Sequence, residues 1–236
     1  MYRYLFLAII AACLPVRGQA QSVPSSPRSI AAVSEVSAGL LDDLNQQPLR
    51  KGAPVFIQII KADDVLRLYL QNDNGTYDLF RSYDICAWSG RLGPKLREGD
   101  GQSPEGFYRI TPNQMNPNSS FHLSFNLGYP NQFDRAHGRT GSFLMVHGNC
   151  VSIGCYAMTD ASISEIWTLM VWAFEDGQDS IPVHIFPFDL TASNLDAYAD
   201  HEWIDFWTML QPAWTAFEQK KIPPSIYTAG RDYHVN

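Results

Sequence analysis

Residues 145–158 read M-V-H-G-N-C-V-S-I-G-C-Y-A-M, which places a histidine and a cysteine eight residues apart in a loop with two glycines. The apolar run at residues 143–146 predicts a buried strand that leads directly into His147. Glycine permits backbone angles closed to other residues, so the chain can turn back tightly after that strand. The segment therefore predicts a β-rich domain with a reactive loop at the end of one strand.

The loop has the composition of a cysteine nucleophile with its base. A thiol attacks as the thiolate, so Cys155 needs a proton acceptor, and His147 is the nearest imidazole in the sequence. We expect Gly148 and Gly154 to shape the loop, with Gly154 admitting a substrate carbonyl to the Cys155 amide as an oxyanion donor. Ser152 is expected to orient the loop or the histidine. The alternative is that Cys155 is a small buried residue or half of a disulfide.

A helix is predicted directly after the loop. Ser162 and Glu165 have the spacing of an S-x-x-E capping box, and apolar residues follow at helical spacing through Phe174. If the N-terminus of this helix points toward Cys155, its partial positive charge favours the thiolate.

Strand patterns dominate the rest of the middle of the chain. Alternating or continuous apolar runs predict strands at residues 55–59, 65–70, 77–83, 107–110, 121–125 and 181–188. Residues 30–44 predict a short leading helix. An aromatic-rich helical series at residues 195–217 predicts a helical extension that either covers the substrate groove or packs in the core. The fold class expected is mainly β with helices, an α+β β-sandwich.

The H-G and S-x-G-C elements around His147 and Cys155 resemble the signature of the YkuD-type L,D-transpeptidases, bacterial enzymes that remodel peptidoglycan through a cysteine acyl-enzyme. Residues 93–110, with G-P-K, G-D-G and S-P-E-G-F-Y-R-I, resemble the region that precedes a strand in that family. The resemblance covers residues 54–188 and implies the same sandwich fold. It implies peptidoglycan stem peptides as the binding partner.

Within the family, residues 134–138 and 147–159 are similar to the murein L,D-endopeptidase branch, which detaches Braun's lipoprotein from peptidoglycan. That resemblance implies hydrolysis of the bond between meso-diaminopimelate and the lipoprotein's C-terminal lysine. The wider family has S-H-G-C-x-R, whereas this chain has Ile153 and Ala157 at the histidine and arginine positions. Transpeptidation and a non-catalytic peptidoglycan-binding module are the alternatives.

A second histidine competes for the role of base. His137, in R-A-H-G, fits the longer family spacing from Cys155, whereas His147 fits the H-G context after an apolar strand. We favour His147, because a base must lie within hydrogen-bond reach of its thiol and strand ends are rigid. His137 is then expected to line the substrate groove or to be a polar loop residue.

The amino terminus predicts export to the periplasm. Arg3 precedes the apolar run at residues 5–12, and small residues end at Ala20, as in a signal peptide. The run is too short for a membrane span, which takes ~20 residues. Alternatively, Cys13 is acylated as a lipid anchor. The expected division is a signal peptide at 1–20, a linker and short helix at 21–53, the catalytic domain at 54–188 and the helical extension at 189–236.

Removal of the signal leaves three cysteines in an oxidising compartment. If Cys155 stays free as the nucleophile, Cys86 and Cys150 form the expected disulfide. The alternatives are that both are buried free thiols, or that Cys150 pairs with Cys155 and switches the enzyme off.

Composition and motifs exclude several other functions. The chain of 236 residues is 45% hydrophobic and 17% charged, in the range of ordinary globular domains. Its net charge of −7 argues against nucleic acid as a partner. The sequence has neither a phosphate-binding glycine loop nor an H-E-x-x-H motif, so we predict no nucleotide, no metal and no cofactor.

Overall fold

The structure is a computed structural model that describes residues 22–236. The predicted signal peptide and Cys13 lie outside the described residues. The helices are α1 (Pro27–Asn45), α2 (Gln132–Ala136), α3 (Asp160–Glu175), α4 (Ala192–Ala197) and α5 (Ile204–Lys220). The strands are β1 (Val55–Ile60), β2 (Val65–Gln71), β3 (Tyr77–Asp84), β4 (Gly106–Ile110), β5 (Met115–Asn116), β6 (Ser124–Asn126), β7 (Met145–His147), β8 (Tyr156–Ala157), β9 (Ile181–Phe186), β10 (Ile226–Ala229) and β11 (Asp232–Val235).

The larger sheet has five strands in the order β3-β2-β1-β9-β4, in which only the β1–β9 pair is parallel. Every residue of β1 is buried, because helices cover both faces of the sheet. Ile57 and Ile59 face the core shared with α1 and α3, whereas Phe56 packs against Phe217 of α5. This explains why β1 is apolar at almost every position instead of alternating with polar residues.

The smaller sheet carries the reactive loop. It has four short strands in the order β5-β6-β7-β8, and β7 and β8 are parallel, with His147 paired to Ala157. Residues from both sheets and from α1 and α3 form one continuous core. This mixed α+β arrangement confirms the predicted fold class.

Two strands of the smaller sheet differ from the prediction. β6 begins at Ser124 and β7 at Met145, three and two residues later than the apolar runs indicate. Phe121 and Phe143 are partly exposed, and Phe143 has a φ of 54°, in the left-handed region that no strand residue adopts. Both aromatic residues therefore lie at the surface beside the loop.

Helix α3 follows the loop as predicted, but the predicted capping box is wrong. The N-cap is Thr159, whose side-chain oxygen accepts a hydrogen bond from the Ser162 amide at 3.0 Å. Glu165 instead forms an ion pair with Arg81 on β3. Thr159 is in extended conformation and captures the free amide first, so the helix begins at Asp160.

The C-terminal part packs in the core and does not consist of helices alone. Trp207, Leu210 and Trp214 of α5 are buried in a second core with Phe186 and Phe188. Of the two alternatives for the aromatic series at residues 195–217, packing in the core therefore describes these residues. The chain then forms an antiparallel hairpin, β10–β11, which the prediction of a helical extension missed. In the described part of the chain, no helix is both long and apolar enough to cross a membrane.

Candidate active site

Cys155 lies in the loop between β7 and β8 with its side chain half-buried and its thiol free. The sulfur accepts a hydrogen bond from the Met145 amide at 3.4 Å and donates to the Phe143 carbonyl at 3.6 Å. Burial raises the pKa of the Cys155 thiol above its ordinary value, although the Met145 amide and the charge of Lys95 partly oppose this. The resting thiol is therefore protonated at neutral pH.

His147 ends β7 and is almost fully buried. Its Nδ1 lies 2.5 Å from the Gly148 carbonyl oxygen. A carbonyl can only accept, so Nδ1 carries the proton and Nε2 is left as the acceptor. Burial lowers the pKa of His147 below its ordinary value, against the opposing effect of the Gly148 hydrogen bond. The neutral ring, stacked on Phe121 with a centroid distance of 4.7 Å, is ready to accept a proton.

The thiol and the imidazole line the same cavity, of about 480 Å³. The Met145 amide, at the start of β7, donates to the sulfur. His147 lies two residues further along the strand, so the Cα atoms of Met145 and His147 are about 6.6 Å apart and their side chains are on the same face. Within residues 22–236, no hydrogen bond joins Cys155 to His147. The structure thus places a neutral thiol and a neutral imidazole in the lining of one cavity, without a hydrogen bond between them.

Both loop glycines meet a steric requirement. A Cβ at Gly148 would lie 2.4 Å from Oδ1 of Asp160, the same oxygen that accepts a hydrogen bond from the Asn149 amide at 2.9 Å. Gly154 has a φ of 136°, which other residues rarely adopt. The Cys155 amide that follows donates to no acceptor among residues 22–236, so it is available as an oxyanion donor.

Ser152 holds the loop, not the histidine. Its hydroxyl donates to the Cys155 carbonyl at 2.7 Å and accepts from the Gly154 amide at 3.2 Å. Ser103 donates to the same carbonyl at 3.1 Å. These bonds fix the backbone on both sides of the thiol.

A disulfide ties the loop to the segment after β3. Cys86 and Cys150 are bonded, with Cα atoms 5.2 Å apart, and Cys155 is the free cysteine of the described part. The Cys86 amide also donates to the Ala157 carbonyl at 2.9 Å. The segment after β3 is therefore attached both to Cys150 in the loop and to Ala157 in β8.

The structure does not bring His137 to the thiol. His137 is the C-cap of α2, where Nδ1 lies 3.0 Å from the Phe133 carbonyl and the ring packs on the Phe133 ring at 4.1 Å. It is not among the residues that line the cavity of Cys155. Of these two histidines, His147 lines the cavity of Cys155 and His137 does not.

Sequence reasoning missed the cation beside the thiol. Lys95 lines the cavity, is almost fully buried, and pairs with Asp100 at 2.5 Å. Partial burial would raise the pKa of Asp100, but hydrogen bonds from Lys95 and three backbone amides lower it to about 2. The G-P-K and G-D-G motifs were the available signal, although nothing in their spacing predicted proximity to Cys155.

Comparisons with known protein sequences give one family match and a similar protein from Escherichia coli. The family model YkuD, the L,D-transpeptidase catalytic domain, matches residues 54–185. The protein named "Putative L,D-transpeptidase YafK" from Escherichia coli (strain K12) is 45% identical over 185 residues, 78% of this chain and 75% of the relative.

Solved structures give weaker matches. The helical cell shape determining protein Pgp2 (K307A mutant) from Campylobacter jejuni has a TM-score of 0.47 at 21% identity over 82% of this chain. The match spans 65% of the Pgp2 chain, less than two thirds of its length. Bd1075 of Bdellovibrio bacteriovorus has a TM-score of 0.40 at 18% identity, over 75% of this chain and 77% of that one. On the family match and the relative from Escherichia coli, the chain belongs to the YkuD family of L,D-transpeptidase catalytic domains.

Proposed function

We propose that the protein is a periplasmic murein L,D-endopeptidase that hydrolyses the bond between meso-diaminopimelate and the C-terminal lysine of Braun's lipoprotein. The observation that carries a cysteine-dependent reaction is the cavity shared by the Cys155 thiol and the neutral His147 ring. The predicted signal peptide and the Cys86–Cys150 disulfide support an oxidising compartment, with a lipid anchor at Cys13 as the alternative.

In the proposed mechanism, Nε2 of His147 takes the thiol proton as the Cys155 sulfur attacks the amide carbonyl carbon. The Cys155 amide stabilises the oxyanion. The C–N bond breaks, and the amine leaves with the proton from His147. Water then attacks the thioester and gives one proton to His147, which returns it to the departing sulfur.

Two positions support hydrolysis over transfer to an amine. Ala157 is fully buried in β8, paired with His147 and hydrogen-bonded to Ala87, so an arginine side chain would not fit there. Ile153 is 91% exposed at the rim of the cavity, where the wider family has a histidine. The groups expected to hold a transpeptidase substrate are therefore missing at both positions.

The test is to incubate lipoprotein-bearing sacculi with the wild type, Cys155→Ala and His147→Gln, and to follow released protein and muropeptides by mass spectrometry. We expect the wild type to release lipoprotein and both variants to release it at least ~10³-fold more slowly. Arg231→Gln, an exposed change on the C-terminal hairpin, is the matched control and should retain full activity. Release that persists in Cys155→Ala would refute a thiol mechanism.

The alternative function is an L,D-transpeptidase that forms crosslinks or attaches protein to peptidoglycan. The apolar side chains of Phe121 and Phe143 at the cavity favour it, because an apolar site limits the access of water to an acyl-enzyme. New diaminopimelate crosslinks in the same digests would support this alternative. Wall binding without any cysteine-dependent product would instead indicate a non-catalytic binding module.

A further inference from the structure

A second cavity, of about 420 Å³, lies beside the C-terminal hairpin. Its walls come from β4, β9, the start of α2 and the hairpin strands β10 and β11. It shares no lining residue with the cavity of Cys155. Its volume falls in the range of small-molecule sites, about 300–1,000 Å³. The mechanism proposed above does not use it.

Two arginines give this cavity a positive field. Arg109 of β4 and Arg135 of α2 line it, and its lining contains no aspartate or glutamate, although the chain as a whole carries a net charge of −7. Nε of Arg109 donates to the Ser180 hydroxyl at 3.1 Å, and Nη1 of Arg135 donates to the Pro130 carbonyl. Both of these acceptors are neutral, so neither hydrogen bond cancels the charge of its guanidinium.

A buried histidine without a hydrogen-bond partner forms part of the inner wall. His184, in the middle of β9, is 3% exposed, and its Nδ1 is a buried atom with no partner. Its register partner on β1 is Gln58, whose Oε1 accepts from the Tyr69 hydroxyl at 3.0 Å and whose Nε2 also lacks a partner. Buried polar groups are normally paired, so both atoms are exceptions, and of the two residues only His184 lines the cavity.

The state of His184 suits a neutral donor. Burial and the nearby charge of Arg109 lower its pKa to about 3, so the ring is uncharged at neutral pH. A neutral imidazole donates from one nitrogen and accepts at the other. The remaining walls combine aromatic side chains, Phe107, Tyr227 and Tyr233 among them, with polar ones such as Asn131 and Gln132.

We propose that this cavity binds a small oxyanion, a carboxylate or a phosphate, attached to an apolar or aromatic body. Arg109 and Arg135 pair with the oxyanion, because a planar guanidinium matches both kinds of anion. His184 donates a hydrogen bond from the inner wall, and the aromatic side chains hold the body of the ligand. This site is separate from the proposed endopeptidase site and does not depend on it.

The first test is isothermal titration calorimetry on the full chain with phenylacetate, phenyl phosphate and inorganic phosphate. We expect saturable binding of at least one phenyl probe, with affinity reduced about tenfold by Arg109→Gln and again by Arg135→Gln. Comparing the phenyl probes distinguishes a carboxylate ligand from a phosphate ligand. Arg231→Gln removes the same charge from the tip of the hairpin, outside the cavity, and should bind as the wild type does.

Several results would overturn the proposal. They are no saturable binding of any probe at millimolar concentration, no effect of the two cavity substitutions, or an equal effect of Arg231→Gln. A second measurement locates the site without removing a buried residue. In ¹⁵N NMR of the histidine rings, the bound probe should shift the signals of His184 and leave His147 unchanged; the opposite pattern would place the probe in the thiol cavity and refute the proposal.

Discussion

The protonation states of Cys155 and His147 decide how the reaction starts. Many cysteine enzymes hold a thiolate beside a charged imidazole at rest, which requires a lowered thiol pKa and a raised histidine pKa. Here burial shifts both pKa values in the opposite direction. With these protonation states, the proposed reaction requires proton transfer to His147 as the substrate is attacked.

The pH dependence of alkylation tests this at the level of the single residue. The rate of reaction with iodoacetamide follows the thiolate fraction, so for Cys155 it should rise through a midpoint above that of a free cysteine, ~8.5. Lys95→Met removes a charge that lowers the thiol pKa and should move the midpoint further up. His147→Gln should leave it nearly unchanged, because no ion pair is lost. A high, constant rate from pH 5 upward would instead reveal a preformed thiolate.

The shared cavity of Cys155 and His147 was predictable from the sequence, because the two residues are close along the chain and lie in a distinctive glycine context. The position of Lys95 was not predictable, because it reaches the cavity through a loop about 60 residues before the thiol, and only the folded chain brings them together. Phe121 was likewise predicted to lie in a strand. It precedes β6 instead, and its partly exposed ring stacks on the buried His147 ring.

At the scale of the element, the start of α3 shows how local competition limits prediction. The sequence predicts an N-cap at Ser162, whereas the cap in the structure is Thr159, three residues earlier, and Glu165 forms an ion pair with Arg81. The existence of the helix could be predicted because its apolar spacing repeats over many residues. Its first residue depends on a single hydrogen bond and is therefore harder to predict. The C-terminal hairpin was missed because its two strands have only four residues each, too few to show a clear pattern.

Two alanine substitutions check the cap. Thr159→Ala should lower the free energy of unfolding by about 1 kcal/mol, because the Ser162 amide loses its acceptor. Ser162→Ala keeps that acceptor and should stay within about 0.5 kcal/mol of the wild type. Urea denaturation measures both. The reverse order of effects would restore the S-x-x-E box as the true cap.

The disulfide makes a second prediction at this scale. With dithionitrobenzoate, a chain starting at residue 22 should show one free thiol, and Cys155→Ala should show none. Replacing Cys86 and Cys150 with serine should cost about 2–5 kcal/mol in urea denaturation, since the bridge closes a segment with a sequence separation of 64. Three free thiols in the native protein would show that the bridge does not form.

At the scale of the whole molecule, a buried ion pair joins the C-terminal helix to the wall of the active site. Lys61, the residue after β1, and Glu105 are both fully buried, with Nζ and Oε1 3.1 Å apart. Glu105 also accepts from the Gly93 amide at 2.7 Å and from the Trp207 indole of α5 at 2.8 Å. Nζ of Lys61 donates to three carbonyls of the loop, those of Arg91, Gly93 and Ser103. The loop that carries Lys95 is thus held from both the central sheet and the C-terminal extension.

Removing the charge of Glu105 should destabilise the fold more than removing the indole hydrogen bond that Glu105 accepts. Glu105→Gln leaves the Lys61 ammonium buried without its counter-charge and should lower the free energy of unfolding by about 3–5 kcal/mol. Trp207→Phe loses one hydrogen bond to a carboxylate and should cost about 1.5–3 kcal/mol. Because the loop positions Lys95, Glu105→Gln should also raise the midpoint of Cys155 alkylation toward that of Lys95→Met. A Glu105→Gln protein with wild-type urea stability and an unchanged alkylation profile would show that the C-terminal extension packs on the domain without supporting its active site.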